Sequence, residues 1–435
     1  MLKPVFFHSE EGKELFRRLE QRQFSIPEEH EKSVERILED VRDNGDSAIV
    51  EYTSRFDCPG FDRSGIKVTD QEIDEAYSKV DQEFTPLIRR AIANIREFHE
   101  RQLPSSWMIT RDNGTILGQM VRPVDAAGLY VPGGTGGETP LVSSVLMNAI
   151  PAVIAGVERI AMATPPDKNG DISPYLLVAA REAGVNTVYR MGSAWAIAAM
   201  AFGTETVEPV DVIAGPGNIF VTIAKKLVSG TVGIDMIAGP SEILVIADRN
   251  APSDFAAADM LSQAEHDPMA TAITSTDSEE LANAICRQID VFLSRLERGE
   301  TARKSLENNG VIIIVKDLDE AVMLANRIAP EHLELLVKDP WGILPSIRHA
   351  GAIFMGHYTP EPMGDYIAGP NHVLPTMGTA RFSSALGVET FIKRSSVISY
   401  TKNGFHSEAK DVMRLAEIEG LTAHSLSAKI RHEEV

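Results

Sequence analysis

Short β-rich runs alternate with helical patterns along most of this 435-residue chain, and no other feature constrains its fold as strongly. The runs lie between Gly128 and Phe354, and the segments that separate them repeat apolar residues at helical spacing. Strand–helix–strand units with short connections predict an α/β fold of mostly parallel sheets. The predicted strands are 159–163, 187–190, 211–214, 242–247, 271–275 and 311–315, and helices are entered at Ser173-Pro174, Ser193, Asn218 and Ser253.

The residues before this region are predicted to form helices and then a β-hairpin. Thr69 and Glu72 have the spacing of a capping box, in which each side chain satisfies a backbone amide of the other residue. Asp112-Asn113-Gly114 supplies a turn between the two β-prone runs of 107–121. We interpret the helices of the first hundred residues as a solvated layer without chemistry of its own.

One turn sequence, D-x-I-A-G-P, occurs three times, beginning at Asp211, Asp235 and Asp365. A β-run that ends in Gly-Pro must turn. Ligands of α/β folds bind outside the carboxyl ends of strands. We therefore predict that these turns form walls of a functional site.

Composition and charge exclude several classes of partner. The 42 Lys and Arg against 62 Asp and Glu give a net charge of −20 without a basic stripe, which argues against nucleic acid. The longest apolar stretch, 141–157, is interrupted by polar residues and Pro151, and the start lacks an apolar signal core, so we predict no membrane span and no export signal. Two cysteines, Cys58 and Cys286, are too few for a disulfide framework, and we expect a cytoplasmic location.

The common nucleotide-binding motifs are absent from the sequence. Neither G-x-G-x-x-G nor G-x-x-x-x-G-K-[ST] occurs. The glycine run at 133–137 still permits close approach of the backbone to a phosphate or a ring. Thr139-Pro140 after it is predicted to begin a helix whose free amides could face an anion.

Candidate ligands and proton carriers occur in three places. Gln263 and His266 are three apart near a helix end and so share a face, although a His there is also typical of a surface. Asp365, His372 and His424 offer further N and O ligands without a local spacing rule. Glu331-His332 sets a carboxylate beside an imidazole that exchanges protons near neutral pH, although the same residues would also suit a surface turn.

Several long motifs resemble the histidinol dehydrogenase family over nearly the whole chain. The defining stretch runs from Ile234 to His266 and contains Ala238-Gly-Pro-Ser-Glu242 and Leu261-Ser-Gln-Ala-Glu-His266. The likeness continues in Gly128-Leu-Tyr-Val-Pro-Gly-Gly134, Gly215-Pro-Gly-Asn218, Ala329-Pro-Glu-His-Leu333, Gly364-Asp365, Ala368-Gly-Pro-Asn-His-Val-Leu-Pro375 and Glu419-Gly-Leu-Thr-Ala-His424.

The resemblance implies oxidation of L-histidinol to L-histidine through the aldehyde, with two NAD+ and one zinc ion per site, as the last step of histidine biosynthesis. It implies that His332 takes the hydroxyl proton and that Glu331 activates the water that adds to the aldehyde. The implied zinc ligands are Gln263, His266, Asp365 and His424. The implied substrate contacts are Ser241, Gln263, His266, His332, Asp365, Glu419 and His424.

The implied NAD contacts are Tyr130, Asn218 and the position of Trp195. The family usually has Gln in a Gly-Gly-Ala-Gln-Ala-Ile stretch where this chain has Gly192-Ser-Ala-Trp-Ala-Ile197. Trp195 could stack on a cofactor ring in place of that Gln or be packed in the protein. The family also implies a homodimer with shared sites, in which Glu419 and His424 complete the site of the partner.

The resemblance further implies two incomplete Rossmann-like parallel-sheet domains with helical N-terminal and C-terminal extensions. The expected parts are an N-terminal arm over 1–25, a larger domain over 26–130 and 240–385, a second domain over 131–239, and a C-terminal arm over 386–435.

Three other functions stay open at this point. A relative of the family could oxidise another small primary alcohol with the same residues, although Glu419, which could bind an imidazole N–H, favours histidinol. A zinc hydrolase would use Glu331 and metal-bound water without NAD. A non-catalytic binding protein would have no use for the Glu331-His332 pair.

Overall fold

The computed structural model describes residues 2–20, 28–133 and 139–433. Apart from Gly133, the predicted glycine run lies outside the described residues. The strands are β1 Val5–Phe6, β2 Trp107–Thr110, β3 Ile116–Pro123, β4 Ala126–Tyr130, β5 Arg159–Thr164, β6 Thr187–Arg190, β7 Val212–Ala214, β8 Gly233–Ile234, β9 Glu242–Ala247, β10 Thr271–Thr276, β11 Gly310–Ile314, β12 His332–Leu336, β13 Ala352–Met355 and β14 Ile392–Ser399. The helices are α1 Glu10–Glu20, α2 Glu28–Asn44, α3 Asp46–Phe56, α4 Asp70–Ala76, α5 Phe84–His99, α6 Val142–Ala155, α7 Pro174–Ala183, α8 Ser193–Phe202, α9 Ile219–Val228, α10 Ser253–Ala264, α11 Glu279–Leu293, α12 Gly299–Asn309, α13 Leu318–Ile328, α14 Pro340–Ile343, α15 Glu361–Tyr366, α16 Lys402–Ile418 and α17 Thr422–Glu433.

Two parallel sheets form the centre of the fold. One has six strands in the order β1-β11-β10-β9-β12-β13, and the other has five in the order β6-β5-β4-β7-β8. Strands β9, β10 and β12 are buried along their whole length, as expected for a parallel sheet that is covered on both faces. The predicted α/β fold is confirmed, and every predicted strand is present to within one residue at each end.

Helices α2 and α3 pack on the helices of the five-stranded sheet. Val34 and Ile49, on α2 and α3, belong to one buried cluster with Trp195 and Ile197 on α8. The apolar faces of α2 and α3 are therefore core, which corrects their interpretation as a solvated layer. Strand β4 also belongs to this sheet, so α2, α3 and β4, which were expected in the larger domain, pack with the five-stranded sheet instead. The predicted capping box at Thr69 is confirmed.

A second compact unit consists of 103–124 and 392–435. The predicted hairpin is confirmed, with β2 and β3 antiparallel, and β14 pairs with the other edge of β3. Helices α16 and α17 pack on each other within this unit. Residues 386–391, which were expected in the C-terminal arm, belong to the first unit, where Leu386 and Phe391 are buried.

The three D-x-I-A-G-P turns differ from one another in the structure. The first follows β7, and its Gly215 has a φ of +118°, where an added Cβ would lie 2.1 Å from the Tyr130 carbonyl oxygen. The second follows β8. The third does not end a strand as predicted, because Asp365 lies in α15, which has a proline in its first turn.

Helix α6 begins two residues later than predicted from Thr139-Pro140. Leu141, with φ −81° and ψ 70°, is not helical, and Val142 is the first helical residue. None of the helices in the described ranges is both long and apolar enough to cross a membrane.

Candidate active site

Glu331 and His332 lie together in the six-stranded sheet, at the point where β12 begins. His332 is the first residue of β12 and pairs with Ile243 of β9. Both side chains are buried, with 6% of Glu331 and 4% of His332 exposed, so the alternative of a surface turn is wrong. The pair lies at the amino end of its strand, directly after the turn that follows α13.

The hydrogen bond of His332 fixes which ring nitrogen carries the proton. Its Nδ1 lies 2.9 Å from the Glu242 carbonyl oxygen, which can only accept, so Nδ1–H donates. The buried Nε2 has no hydrogen-bond partner within the described part of the chain. Burial lowers the pKa of His332 to about 4. The ring is therefore neutral at physiological pH, with a free lone pair on Nε2 that can accept a proton.

Glu331 is held against the same neighbouring strand. Its Oε2 accepts a hydrogen bond of 2.7 Å from the Glu242 amide and lies 3.7 Å from His332 Nδ1. Burial raises the pKa of the Glu331 carboxyl well above its ordinary value. A carboxylate with a raised pKa takes up a proton more readily than an exposed one, which suits a general base.

A group of metal-ligand atoms lies close to this pair. His266, Glu361 and Asp365 each offer one ligand atom, and these atoms lie within 4.8 Å of one another. His266 lies just beyond the end of α10, and Glu361 and Asp365 are one turn apart on α15. Glu361 Oε1 is 3.9 Å from His332 Nε2, so the ligand group adjoins the imidazole.

The donor chemistry of this group fits a divalent cation such as zinc. Gln263 is only 1% exposed, and its Oε1 has no hydrogen-bond partner among the described residues, so its oxygen is available as a ligand. Gln263 lies three residues before His266, and its oxygen, the His266 imidazole and the Asp365 carboxylate are N and O donors of the kind that binds zinc. Burial, followed by the Asp365 charge, raises the pKa of Glu361 to about 9, and a cation would relieve that crowding of carboxylates.

Glu361 is the residue of this group that sequence reasoning missed. Its spacing of four from Asp365 was a possible signal, but the third turn motif was interpreted as a strand end, and a strand would have placed these residues differently. Ser241, a predicted substrate contact, directly precedes β9 and is partly buried. The structure brings Ser241, Glu331 and His332 to the amino ends of neighbouring strands.

Two further predicted site residues, Glu419 and His424, belong to the second unit. Glu419 is the residue that caps the end of α16, and His424 lies in the first turn of α17. His424 lines a groove of about 920 Å³ within that unit, next to Tyr400, Phe405 and Arg431. Their roles as zinc and substrate ligands stay predictions.

The predicted cofactor residues gather at the carboxyl ends of the five-stranded sheet. Tyr130 ends β4, and its hydroxyl accepts a hydrogen bond of 3.0 Å from the Ser193 amide at the start of α8. Asn218 caps α9 and accepts from the amides of Phe220 and Val221. These residues therefore lie where ligands of α/β folds usually bind.

Trp195 is packed inside the protein beside this edge. It is 4% exposed, its indole N–H donates to Thr53 Oγ1 at 3.2 Å, and its ring stacks with those of Tyr52 and Phe56. These contacts support the packed alternative for the indole ring. A contact between Trp195 and the cofactor stays a prediction, and the low exposure of the side chain does not support it.

Comparison with known proteins gives one consistent result. The family model described as histidinol dehydrogenase matches residues 20–432. Histidinol dehydrogenase from Desulfotalea psychrophila is 56% identical over 432 residues, which cover 99% of each chain, and that from Bacillus subtilis is 52% identical over 94% of each chain. The crystal structure of histidinol dehydrogenase from Elizabethkingia anophelis superposes with a TM-score of 0.90 at 37% identity, covering 96% of this chain and 95% of that one. The chain belongs to the histidinol dehydrogenase family.

Proposed function

We propose that this protein oxidises L-histidinol to L-histidine through L-histidinaldehyde, using two NAD+ and one zinc ion per site. The observation that carries the proposal is the buried Glu331-His332 pair, with a free Nε2 lone pair beside a group of metal-ligand atoms. This pair offers two bases in one buried setting, and a four-electron oxidation has two separate proton transfers to perform.

His332 serves the first oxidation. Its Nε2 accepts the hydroxyl proton of histidinol while the carbinol carbon loses a hydride, because Nδ1 is already committed to the Glu242 carbonyl. The neutral ring is ready for this task throughout the physiological range. NAD+, when bound, supplies the hydride acceptor in both oxidations.

Glu331 serves the second oxidation. An aldehyde has a second hydride to give only after water has added to its carbonyl carbon. Glu331 takes a proton from that water as the C–O bond forms, and the resulting hydrate loses a hydride to give the acid. Neither cysteine lies in a site motif, so water rather than a thiol is the nucleophile. Overall, the alcohol and one water give a carboxylate, two hydrides and three protons.

The substrate is proposed to be held by the metal and by polar side chains. Zinc, when bound, would orient the imidazole and amino group of histidinol rather than activate its hydroxyl. The proposed zinc ligands are Gln263, His266, Asp365 and His424. Ser241 and Glu419 are proposed substrate contacts, with the Glu419 carboxylate accepting from the imidazole N–H.

We propose a homodimer in which Glu419 and His424 complete the partner's site. Exposed apolar residues on the second unit, among them Trp107, Ile109 and Leu415, support an interface there. Mixing a His332→Asn chain with a Glu419→Gln chain tests the sharing. Random mixed dimers then have one intact site each, and about a quarter of wild-type activity should return. If each site belongs to one chain, the mixture stays inactive.

The substrate assignment is tested by measuring NADH absorbance with purified protein, NAD+ and L-histidinol. Activity should be highest with histidinol among small primary amino alcohols and should be lost with a chelator and restored by zinc. Another alcohol preferred over histidinol would replace the substrate, and cleavage of a substrate without NADH would support a hydrolase. The free thiols of Cys58 and Cys286 support a reducing compartment such as the cytoplasm.

A further inference from the structure

We propose that Asp57 binds the adenosine ribose of the dinucleotide through its carboxylate and thereby selects NAD+ over NADP+. This inference rests on the proposed use of NAD+ and names a residue for that selectivity. Asp57 directly follows α3, and its own amide donates to the Thr53 carbonyl.

One oxygen of the Asp57 carboxylate lacks a protein partner in the part of the chain that the structure describes. Its Oδ2 is buried and has no hydrogen-bond partner among the residues described. Burial raises the pKa of Asp57 to about 7. A buried carboxylate oxygen normally has a donor, so this one is available to the hydroxyls of a ligand.

The surroundings of Asp57 are those of the proposed cofactor site. Its Oδ2 lies 3.2 Å from the position that a Cβ on Gly192 would take, so a side chain there would crowd the oxygen. The next residue, Ser193, begins α8 and donates its amide to the Tyr130 hydroxyl. Tyr130 in turn lies close enough for the Asp57 charge to contribute to raising its pKa, after burial.

The topology places Asp57 at the adenosine end rather than the nicotinamide end. Gly192 follows β6, which is one edge strand of the five-stranded sheet. The opposite edge is β8, from which the chain continues to Ser241 and β9. The Glu331-His332 pair lies beside β9. Hydride is transferred to the nicotinamide beside Glu331 and His332. The end of the dinucleotide near β6 is therefore the adenosine end.

The local charge disfavours the extra phosphate of NADP+. Asp57, Asp167 and Asp171 all contribute, after burial, to raising the pKa of the Cys58 thiol, so the three carboxylates are neighbours. A ribose diol donates two hydrogen bonds to a carboxylate, whereas a 2′-phosphate brings negative charge and no donor. The guanidinium of Arg55, two residues before Asp57, lies over the Phe56 ring, 5.1 Å from its centroid.

The test is calorimetric titration of the whole protein with NAD+, NADP+ and 5′-AMP. We expect wild type to bind NAD+ at least about tenfold tighter than NADP+. Asp57→Asn should weaken both NAD+ and 5′-AMP about tenfold, as for loss of a hydrogen bond to a charged group, and should remove most of the preference over NADP+.

Asp167→Asn is the matched control for charge. Asp167 accepts two amides of its own loop through Oδ1, which an Asn oxygen can replace. It should leave the affinity for NAD+ within about twofold. The inference would be overturned if both variants lowered the affinity for NAD+ equally, or if Asp57→Asn left that affinity unchanged. It would also be overturned if Asp57→Asn weakened NAD+ but not 5′-AMP, or if wild type did not prefer NAD+ over NADP+. If wild type bound no NAD+ at all, the proposed use of NAD+ itself would fail.

Discussion

Glu331→Gln separates the two oxidation steps and is the most informative single substitution. Gln keeps the shape of the side chain and an oxygen that can accept the 2.7 Å hydrogen bond from the Glu242 amide. It also removes a buried carboxyl whose pKa is raised by burial, so the free energy of unfolding should not fall. The proposed base for water activation is lost, and loss of a general base typically slows such a step by about 10²- to 10⁴-fold.

The assay is single-turnover NADH formation with L-histidinol and, separately, with L-histidinaldehyde. Glu331→Gln should form the first NADH from histidinol much faster than the second and should be nearly inactive with the aldehyde. His332→Asn is the contrasting variant, because it should slow the reaction of histidinol while Glu331 remains in place. Equal slowing of both oxidations by Glu331→Gln would refute the division of roles between the two bases.

Three further changes test other parts of the structure. The pKa of Asp57 is about 7 in the folded protein and 3.8 for an ordinary Asp, so the unfolded chain loses this proton at lower pH than the folded one. The free energy of unfolding therefore falls as pH rises from about 4 to 7. Asp57→Asn should remove this fall. It should raise the free energy of unfolding by ~2 kcal/mol at pH 8, which is half of the ~4 kcal/mol from the full pKa shift because the side chain is partly exposed, and should change it little at pH 4. Urea unfolding without nucleotide at both pH values checks this, and an equal gain at both would contradict the assignment. Trp195→Ala should lower the free energy of unfolding by about 3–5 kcal/mol, measured by denaturant titration, because a buried indole leaves a cavity; a change below about 1 kcal/mol would mean that the ring is not core. Removing zinc with a chelator should lower the melting temperature as well as activity, because a metal that binds only the folded chain stabilises it, and calorimetry showing an unchanged midpoint would argue against the site at Gln263 and His266.

The sheets could be predicted from the sequence because each β-rich run is short, apolar and followed by a helix start. The run from Val311 to Ile314 is a typical case, because four β-branched residues are too few for a stable helix and favour a buried strand. The same local pattern did not predict which strand lies beside β12. Glu331 and His332 precede their strand, and only the order of strands in the sheet brings them beside Glu242.

The residues missed at the sequence level have partners that are remote in the chain. Glu361 lies near His266, although 95 positions separate them in the chain. Glu361 is on a helix with a proline in its first turn, and the D-x-I-A-G-P motif in this region was interpreted as a strand end because it also follows two strands. Asp57 follows an ordinary amphipathic helix and is distinguished by a buried oxygen that has no hydrogen-bond donor among the residues that the structure describes. Trp195 could be named from its motif, but its burial depends on Tyr52 and Phe56 of another helix.

The central claim is that one site performs both oxidations of histidinol with NAD+. The most direct test counts the NADH formed for each histidinol consumed by the zinc-loaded protein. Two NADH per histidinol, with histidine as the product, is the predicted result. One NADH per histidinol, with the aldehyde released, would contradict the second oxidation and the role of Glu331 in it.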